Sequence, residues 1–197
     1  EISCSLVGSE MCIRDRYMSI AFEKSETHRN LLRAFAGESQ ARNRYTFAAG
    51  LAKKQNLQVI EQVFLFTADQ ERAHAKVFYN YLQSLSGQNI TIDGAYPIDL
   101  YPTTLEHLRA AQHNEYQEWE HDYAGFAKIA MEEGFAEIGK TFEMIAAVEK
   151  THGDRFGRFA DLVENDGLFR SEAGVKWMCL NLSLIHISEP TRLQLIS

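Results

Sequence analysis

The sequence predicts an all-α protein, a four-helix bundle in which a long crossover joins the second and third helices. Three observations lead to this prediction. A linker rich in helix breakers separates the second helical segment from the third. Two Glu-x-x-His pairs, Glu71/His74 and Glu149/His152, place a carboxylate and an imidazole on one face of the second and fourth segments. Apolar residues recur at helical spacing over four long segments, at about 27–54, 57–85, 104–133 and 136–164.

The composition is that of an acidic globular protein. With 45% hydrophobic residues, the chain of 197 residues can bury one sizeable core. Its net charge of −7 provides no basic surface, so neither nucleic acid nor a membrane is expected as a partner. The apolar run at Leu6 and Val7 is too short for a secretory signal, so we expect a cytoplasmic protein.

The two ends of the chain differ from its middle, because neither 1–17 nor 182–197 has a helical period. The two ends are also related at the nucleotide level. A coding sequence can be written for the second end such that its reverse complement, read in a shifted frame, encodes much of the first end. Both are interpreted as read-through of a sequencing-library adapter in opposite orientations, and we expect them to be non-native. The natural start is then expected at Met18. Cys179 is the one cysteine between the two ends, so we expect no disulfide framework.

The first helical segment has a carboxylate, Glu38, within its apolar stripe. Taken alone, such a residue most simply lies at the edge of the stripe and reaches water. Gly37 beside it lowers the helix propensity, which indicates close packing or a functional role.

The second segment is apolar around much of its circumference, and Glu71 and His74 interrupt that surface. A carboxylate buried without a partner costs several kcal/mol, so Glu71 is expected to need a cation or a metal. His74 taken alone would be interpreted as a core histidine bonded to a backbone carbonyl.

The linker at 86–103 is long enough to return the chain along the whole bundle. Its glycines and prolines break any helix, and a connection of this length can extend to ~60 Å, against ~42 Å for the helices. This favours a crossover between two helical hairpins over a simple up-and-down bundle. Thr103 and Glu106 then predict a capping box at the start of the third helix.

The third segment carries Glu115 and Glu118 one turn apart. Counting 100° per residue, His121 lies well away from Glu115, so it is expected to face solvent and its pairing with Glu118 to be accidental. Three further histidines lack a partner pattern and are expected at the surface: His28, His107 and His113.

Together these residues predict a site for two metal ions. A Glu from each of two helices, with a Glu-x-x-His from each of the other two, is the arrangement of di-iron and di-manganese carboxylate bundles. The spacing from Glu38 to Glu71 is nearly the same as the spacing from Glu115 to Glu149. This indicates that one helical hairpin is repeated in the sequence. Carboxylates and imidazoles form a hard site suited to iron or manganese, and the lack of a thiolate argues against structural zinc.

Four motifs closely resemble those of the rubrerythrin family, in that family's order and spacing, and the resemblance covers nearly all of 18–179. They are Ala34-Phe-Ala-Gly-Glu38-Ser-Gln-Ala-Arg-Asn-Arg-Tyr45, Thr67-Ala-Asp-Gln-Glu71-Arg-Ala-His74, Asn114-Glu115-Tyr-Gln-Glu118-Trp-Glu-His-Asp-Tyr123 and Val148-Glu149-Lys-Thr-His152.

This resemblance implies a ferritin-like domain, at 18–168, with a non-haem di-iron centre. It implies that Glu71 and Glu149 bridge the two irons. The other roles that it implies are terminal carboxylates for Glu38 and Glu115, a ligand to one iron for His152, alternating ligands of the other iron for His74 and Glu118, and hydrogen bonds to the carboxylates for Tyr45 and Tyr123.

The stretch Val175-Lys176-Trp177-Met178-Cys179 resembles the opening of the rubredoxin-like domain that follows in many members of this family. Leu182 stands where that domain has its second cysteine. Residues 169–181 are therefore interpreted as a linker and the stub of a truncated rubredoxin-like domain. Its Fe(Cys)₄ site is expected in the native full-length protein but not in this chain.

The function that the resemblance implies is reduction of hydrogen peroxide to water in oxidative-stress defence. A rubredoxin or an NAD(P)H-linked reductase is the expected electron donor, and a homodimer is the expected assembly. The competing hypotheses are a ferritin-like protein that oxidises and stores iron, and a bundle whose metals only brace the fold. Glu118 and the rubredoxin-like stub favour the peroxidase.

Overall fold

Two helical hairpins make up most of the structure, a computed structural model that describes residues 20–170 and the backbone of two later strands. Helix α1 (Glu26–Lys54) packs mainly against α2 (Gln58–Tyr81). The second hairpin pairs α5 (Ala136–Glu164) with a longer helical stretch. That stretch consists of α3 (Thr104–Gln117), a π-helical segment (Glu118–Asp122) and α4 (Tyr123–Glu132). Short 3₁₀ turns lie at Phe22–Lys24 and Gln83–Leu85.

This architecture confirms the predicted all-α fold and its crossover. The segment 87–101 between the hairpins contains neither helix nor strand. The capping box is also confirmed, because the Thr103 side chain accepts from the backbone N–H of Glu106 while the Glu106 carboxylate accepts from that of Thr103. Among the described residues, no helix is both long and apolar enough to cross a membrane.

One helix boundary and one internal segment differ from the sequence prediction. The second helix ends at Tyr81 and continues as a 3₁₀ turn instead of reaching residue 85. The third was predicted as one regular α-helix but contains the π-helical segment, in which each backbone bond spans one residue more than in an α-helix. Counting 100° per residue therefore fails between Glu118 and Asp122.

A small ribbon, which the sequence did not predict, follows the bundle. Strand β1 (Val175–Met178) pairs antiparallel with β2 (Ile185–Ser188). Each strand has four residues, too few for apolar alternation to be a clear signal. The ribbon joins residues assigned to the rubredoxin-like stub with residues assigned to the second adapter-like end. The predictions about 1–17, Met18 and Cys179 lie outside the described residues.

The core is divided into two apolar clusters along the bundle. Large members of the first cluster are Leu31, Phe78, Tyr123 and Phe142. Large members of the second are Tyr45, Phe64, Leu108 and Phe156. Along α1, α2 and α5, the buried glutamates fall between the members of one cluster and those of the other. The fold therefore places a polar layer at the middle of the bundle, with apolar packing on both sides.

The start of α1 is fastened to the end of α4 by one carboxylate. Glu133 accepts hydrogen bonds from the backbone N–H groups of Glu26 and Thr27, both at 2.8 Å, and from the Thr27 hydroxyl at 2.6 Å. Such an anion satisfies free N–H groups and faces the positive end of the helix dipole. Partial burial opposes ionisation, but these hydrogen bonds outweigh it and lower the pKa of Glu133.

His28, predicted at the surface, is buried beside this junction. Its Nδ1 donates to the carbonyl oxygen of Ser25 at 2.6 Å, and its ring contacts Phe22 edge to face. The prediction was wrong because the turn at Phe22–Lys24 folds over the histidine, and the spacing of apolar residues within α1 does not report this contact.

We expect Glu133→Ala to lower the free energy of unfolding by about 1–2 kcal/mol at neutral pH, since three hydrogen bonds to one carboxylate are lost. Urea denaturation would measure it. A carboxylate with a lowered folded pKa stabilises the fold above its ordinary pKa, and this contribution is lost as the pH falls through the folded value. The difference from the parent should therefore shrink in acid.

The matched control is Glu132→Ala. Its carboxylate is exposed and lies 3.9 Å from Lys128, a contact that contributes only a few tenths of a kcal/mol. Equal losses in the two variants would contradict the role assigned to Glu133.

Candidate metal centre

The polar layer between the two apolar clusters contains four buried carboxylates. Glu38, Glu71, Glu115 and Glu149 are each at most 1% exposed, and so is His152. Ionised carboxylates at this depth cost several kcal/mol each unless positive charge compensates them. The layer is therefore built to contain cations.

The four long helical stretches each supply part of this layer. Glu38 comes from α1, Glu115 from α3, and a Glu-x-x-His pair from each of α2 and α5. Residues three apart in a helix lie on one face, so each pair points its carboxylate and imidazole in the same direction. The structure thus brings together the residues that the sequence nominated from four helices.

One group of potential ligands surrounds His74. Its Nδ1 lies 2.9 Å from Glu149 Oε1, 3.3 Å from Glu71 Oε2 and 3.7 Å from Glu38 Oε2. One ligand atom from each of these four residues lies within 4.8 Å of all the others. Three carboxylates and one imidazole at this separation can hold one metal ion.

The second group surrounds His152 in the same way. Its Nδ1 lies 2.8 Å from Glu149 Oε2, 3.1 Å from Glu71 Oε1 and 3.6 Å from Glu115 Oε2. The rings of His74 and His152 are almost parallel, with centroids 5.7 Å apart. The two groups are therefore near copies of one another.

Glu71 and Glu149 belong to both groups. Glu149 directs Oε1 towards His74 and Oε2 towards His152, while Glu71 directs Oε2 towards His74 and Oε1 towards His152. A carboxylate that offers one oxygen to each of two neighbouring positions has the geometry of a bridging ligand. This arrangement suits two adjacent metal ions.

The contacts within each group are close but are not hydrogen bonds. The Nδ1 atoms of His74 and His152 and both oxygens of Glu71 and of Glu149 are buried without a hydrogen-bond partner among the described residues. Buried polar atoms are normally hydrogen-bonded, so this many converging, unsatisfied donor atoms require another explanation. Metal coordination satisfies all of them, and the residues present therefore fit two metal ions.

Two tyrosines hold the outer carboxylates. Tyr123 donates its hydroxyl hydrogen to Glu38 Oε1 at 2.5 Å, and Tyr45 donates to Glu115 Oε1. Burial, and then the adjacent carboxylate, raise the pKa of both phenols well above the usual value, so both stay protonated donors. Each outer carboxylate is thus fixed through one oxygen and keeps the other, Oε2, turned towards a histidine.

Burial favours the protonated form of the outer carboxyl groups in this layer. It raises the pKa of Glu38 to about 8, and the nearby Glu71 adds to the effect, against an opposing contribution from His74. Burial and Glu149 likewise raise the pKa of Glu115 to about 7, although His152 and Tyr45 oppose the rise.

The pKa values of the two histidines are also raised, but for a different reason. Burial alone would lower the pKa of His152, but Glu115, Glu149 and Glu71 outweigh it and raise the value to about 12. Glu149, Glu38 and Glu71 similarly outweigh burial at His74 and raise its pKa. A metal ion must therefore displace protons from this site.

Glu118 lies outside both groups, in the π-helical segment. Burial, followed by the charges of Glu115, Glu38, Glu149 and Glu71, raises its pKa well above the usual value. The side chain also lines a pocket of about 290 Å³. π turns are frequent at functional sites, but the apolar spacing of the sequence carried no sign of this one.

Sequence reasoning missed one cation beside the layer. Arg155, three residues after His152, donates from Nη1 to Thr67 at 2.9 Å and to Gln70 at 2.8 Å. Burial lowers its pKa, while the charges of Glu115, Glu71 and Glu149 oppose that change. The sequence signal that could have identified Arg155 is its position one helical turn after the Glu-x-x-His pair.

His121 has a side chain that is 64% exposed, so the prediction that it faces solvent is confirmed.

Known proteins share both the sequence pattern and the fold. A rubrerythrin of Porphyromonas gingivalis is 41% identical over 172 residues, which cover 87% of this chain and 84% of that protein. A rubrerythrin of Clostridium perfringens is 40% identical over 82% of this chain and 83% of that one.

The structure of nigerythrin in a mixed-valence state is similar with a TM-score of 0.63, at 23% identity, over 87% of this chain and 81% of that chain. This likeness confirms the predicted ferritin-like bundle. Residues 29–160 match the family described as Rubrerythrin. On the family match and the identities to curated relatives, the chain belongs to the rubrerythrin family.

Proposed function

We propose that this protein is a non-haem di-iron peroxidase that reduces hydrogen peroxide to water. The observation that carries the proposal is the sharing of Glu71 and Glu149 between two ligand groups, since it favours two irons close enough to act together. When bound, two ferrous ions supply both electrons for H₂O₂ + 2 H⁺ + 2 e⁻ → 2 H₂O and become ferric.

The chain's own residues hold the site in shape and shield it along the bundle axis. Tyr45 and Tyr123 fix the outer carboxylates, and the apolar clusters on either side close the layer along the bundle. Arg155 places a positive charge near three of the carboxylates. The two outer carboxylates, held in this way, need little rearrangement when the charge of the site changes.

Glu118 and His74 are proposed to alternate as ligands at one iron. His74 stands inside its group, whereas Glu118 stands outside it on the pocket side. An anionic carboxylate suits ferric iron better than a neutral imidazole does, and this preference falls on reduction. His74 is therefore proposed to bind in the reduced state and Glu118 in the oxidised state.

The proposal extends to partners. A rubredoxin or an NAD(P)H-linked reductase is the proposed electron donor, and the cytoplasm is the proposed location. A homodimer is the proposed assembly, supported by large apolar side chains that are more than half exposed on the helices, Phe47, Phe66 and Met144. The alternative remains a ferritin-like ferroxidase that binds or stores iron, since the same ligand groups would serve it.

We expect the full chain, reduced and loaded with iron without oxygen, to bind two irons, and Glu71→Ala and Glu149→Ala to bind one or fewer, because each carboxylate serves both groups. Elemental analysis would measure this, with circular dichroism to check helix content. Glu120→Ala, an exposed position in the same π-helical segment as Glu118, is the control and should keep both irons. Two irons in the bridging variants would contradict the shared-ligand geometry.

Rapid mixing of the reduced protein with peroxide or with dioxygen would distinguish the peroxidase from the ferroxidase. We expect faster oxidation by peroxide, at about one peroxide per two irons, since each peroxide takes two electrons. Oxidation by dioxygen at the same rate or faster would favour the ferroxidase.

We expect the metal-free protein to lose stability as the pH rises from about 5.5 to about 8.5, by a few kcal/mol at most. The pKa values of Glu115 and Glu38 are raised to about 7 and about 8, so their contribution is greatest in acid and is lost as the pH rises through these values. Urea denaturation would measure the trend.

Two comparisons test the cause of this trend. Glu38→Gln, which resembles the protonated carboxyl, should flatten the dependence on pH. Ferrous iron, added without oxygen, should restore stability at high pH because it replaces the protons. Metal-free protein that becomes more stable over this range would contradict the prediction.

A further inference from the structure

A pocket of about 290 Å³ leads from the surface to the Glu118 side of the metal centre. It lies between α1, the π-helical segment and the crossover, and its lining includes both Glu118 and Tyr123. Tyr123 donates to Glu38, so the inner wall of the pocket is one hydrogen bond from a potential ligand.

The crossover covers this pocket and is fastened on both sides of it. On one side, Arg33 donates from Nη2 to the Asp93 carboxylate at 2.6 Å and from Nε to its carbonyl oxygen at 3.0 Å. On the other, Asp99 pairs with Arg44 and accepts from Asn114 Nδ2 at 2.9 Å. The Asp99 and Arg44 side chains are only 10% and 11% exposed, so this second attachment is largely buried.

Tyr96 lies between these two attachments. Its hydroxyl donates to the carbonyl oxygen of Arg33 at 3.0 Å, and its ring lines the pocket while the residue remains 40% exposed. A side chain that touches both the pocket and solvent forms the boundary between them. Tyr96 is therefore part of the outer wall of the pocket, and it is the largest side chain among the exposed residues that line it.

One glycine lets the Tyr96 ring take this position. A Cβ at Gly94 would lie 2.8 Å from the Tyr96 hydroxyl oxygen, closer than Cβ atoms normally approach another atom, so any other residue at position 94 would displace the ring. A Cβ at Gly37 would lie 3.6 Å from the ring, which is an ordinary van der Waals contact, so this position of the ring does not require Gly37.

The pocket suits a small, neutral, polar molecule. Its volume would hold several water-sized molecules, each occupying ~30 Å³ in the liquid. Gln40 also lines it, and Gln40 Nε2 is buried without a hydrogen-bond acceptor in the described part of the chain, so it can donate to a ligand.

We propose that this pocket is the path by which peroxide reaches the metal centre, and that Tyr96 limits its width so that hydrogen peroxide passes and branched organic hydroperoxides do not. The inference rests on the proposed peroxidase function. For either substrate the reaction is ROOH + 2 H⁺ + 2 e⁻ → ROH + H₂O, with both electrons coming from the two ferrous ions. Tyr96 acts on access and is not a catalytic residue.

The first test needs no metal. In the full chain with Cys4, Cys12 and Cys179 replaced by serine, Ala34→Cys places a thiol in the pocket lining, at a position only 2% exposed. Methyl methanethiosulfonate, a small reagent, should label it much faster than the bulky dithiobis(nitrobenzoate). Adding Tyr96→Ala should speed labelling by the bulky reagent roughly tenfold or more, whereas Tyr96→Phe, which keeps the ring, should change it little.

Two controls accompany this labelling. Ala48→Cys is equally buried but lies outside the pocket, so it should resist both reagents with or without Tyr96. Tyr101→Ala removes another crossover tyrosine with the same 40% exposure, whose ring contacts His107, and should leave labelling at position 34 unchanged.

The second test compares oxidation of the reduced, iron-loaded chain by hydrogen peroxide and by cumene hydroperoxide. Tyr96→Ala should raise the ratio of the cumene hydroperoxide rate to the hydrogen peroxide rate roughly tenfold. Tyr101→Ala should leave this ratio as in the parent.

The two tests separate the inference from the function on which it rests. Unchanged bulky labelling in Tyr96→Ala, or an unchanged ratio of rates, would overturn the assignment of Tyr96. A parent chain that does not reduce hydrogen peroxide would remove the proposed function, while the labelling would still show whether Tyr96 covers a path to the centre.

Discussion

Everything else in this fold depends on four carboxylates buried in one layer of the bundle. Loss of hydration costs several kcal/mol for each of Glu38, Glu71, Glu115 and Glu149 when it is ionised, and repulsion among the four adds to this cost. The layer is stable only with positive charge in it, supplied by protons or by metal ions. Metal binding and folding are therefore coupled in this protein, and the same residues determine both.

The rest of the bundle is arranged around this constraint. Apolar clusters on both sides supply the burial that keeps the helices together, so the centre does not have to contribute packing. Tyr45 and Tyr123 each use one hydrogen bond to orient an outer carboxylate, and they leave the bridging Glu71 and Glu149 free to face two ions. Two near copies of one ligand group then arise from the repeated hairpin.

The crossover is more than a connection between hairpins. Its length is required to return the chain along the bundle, and the surplus is folded across the side of the centre where Glu118 lies. Arg33 and Arg44, both from α1, hold it in place through Asp93 and Asp99. A segment without regular structure thereby becomes the outer wall of the site, in keeping with the tendency of long ordered loops to carry function.

The sequence by itself determined the four helices, the crossover, the capping box at Thr103 and the pairing of Glu71 with His74, because helical spacing and capping are local properties of the chain. The sequence did not predict contacts between residues that are far apart along the chain. Only the tertiary structure decided the features that such contacts or a change of helical register create. They are the burial of His28, the cap from Glu133, the π-helical segment at Glu118, the position of Arg155 and the pocket wall formed in part by Tyr96. Apolar periodicity reports which face of a helix is buried, but not which distant side chain will lie against it.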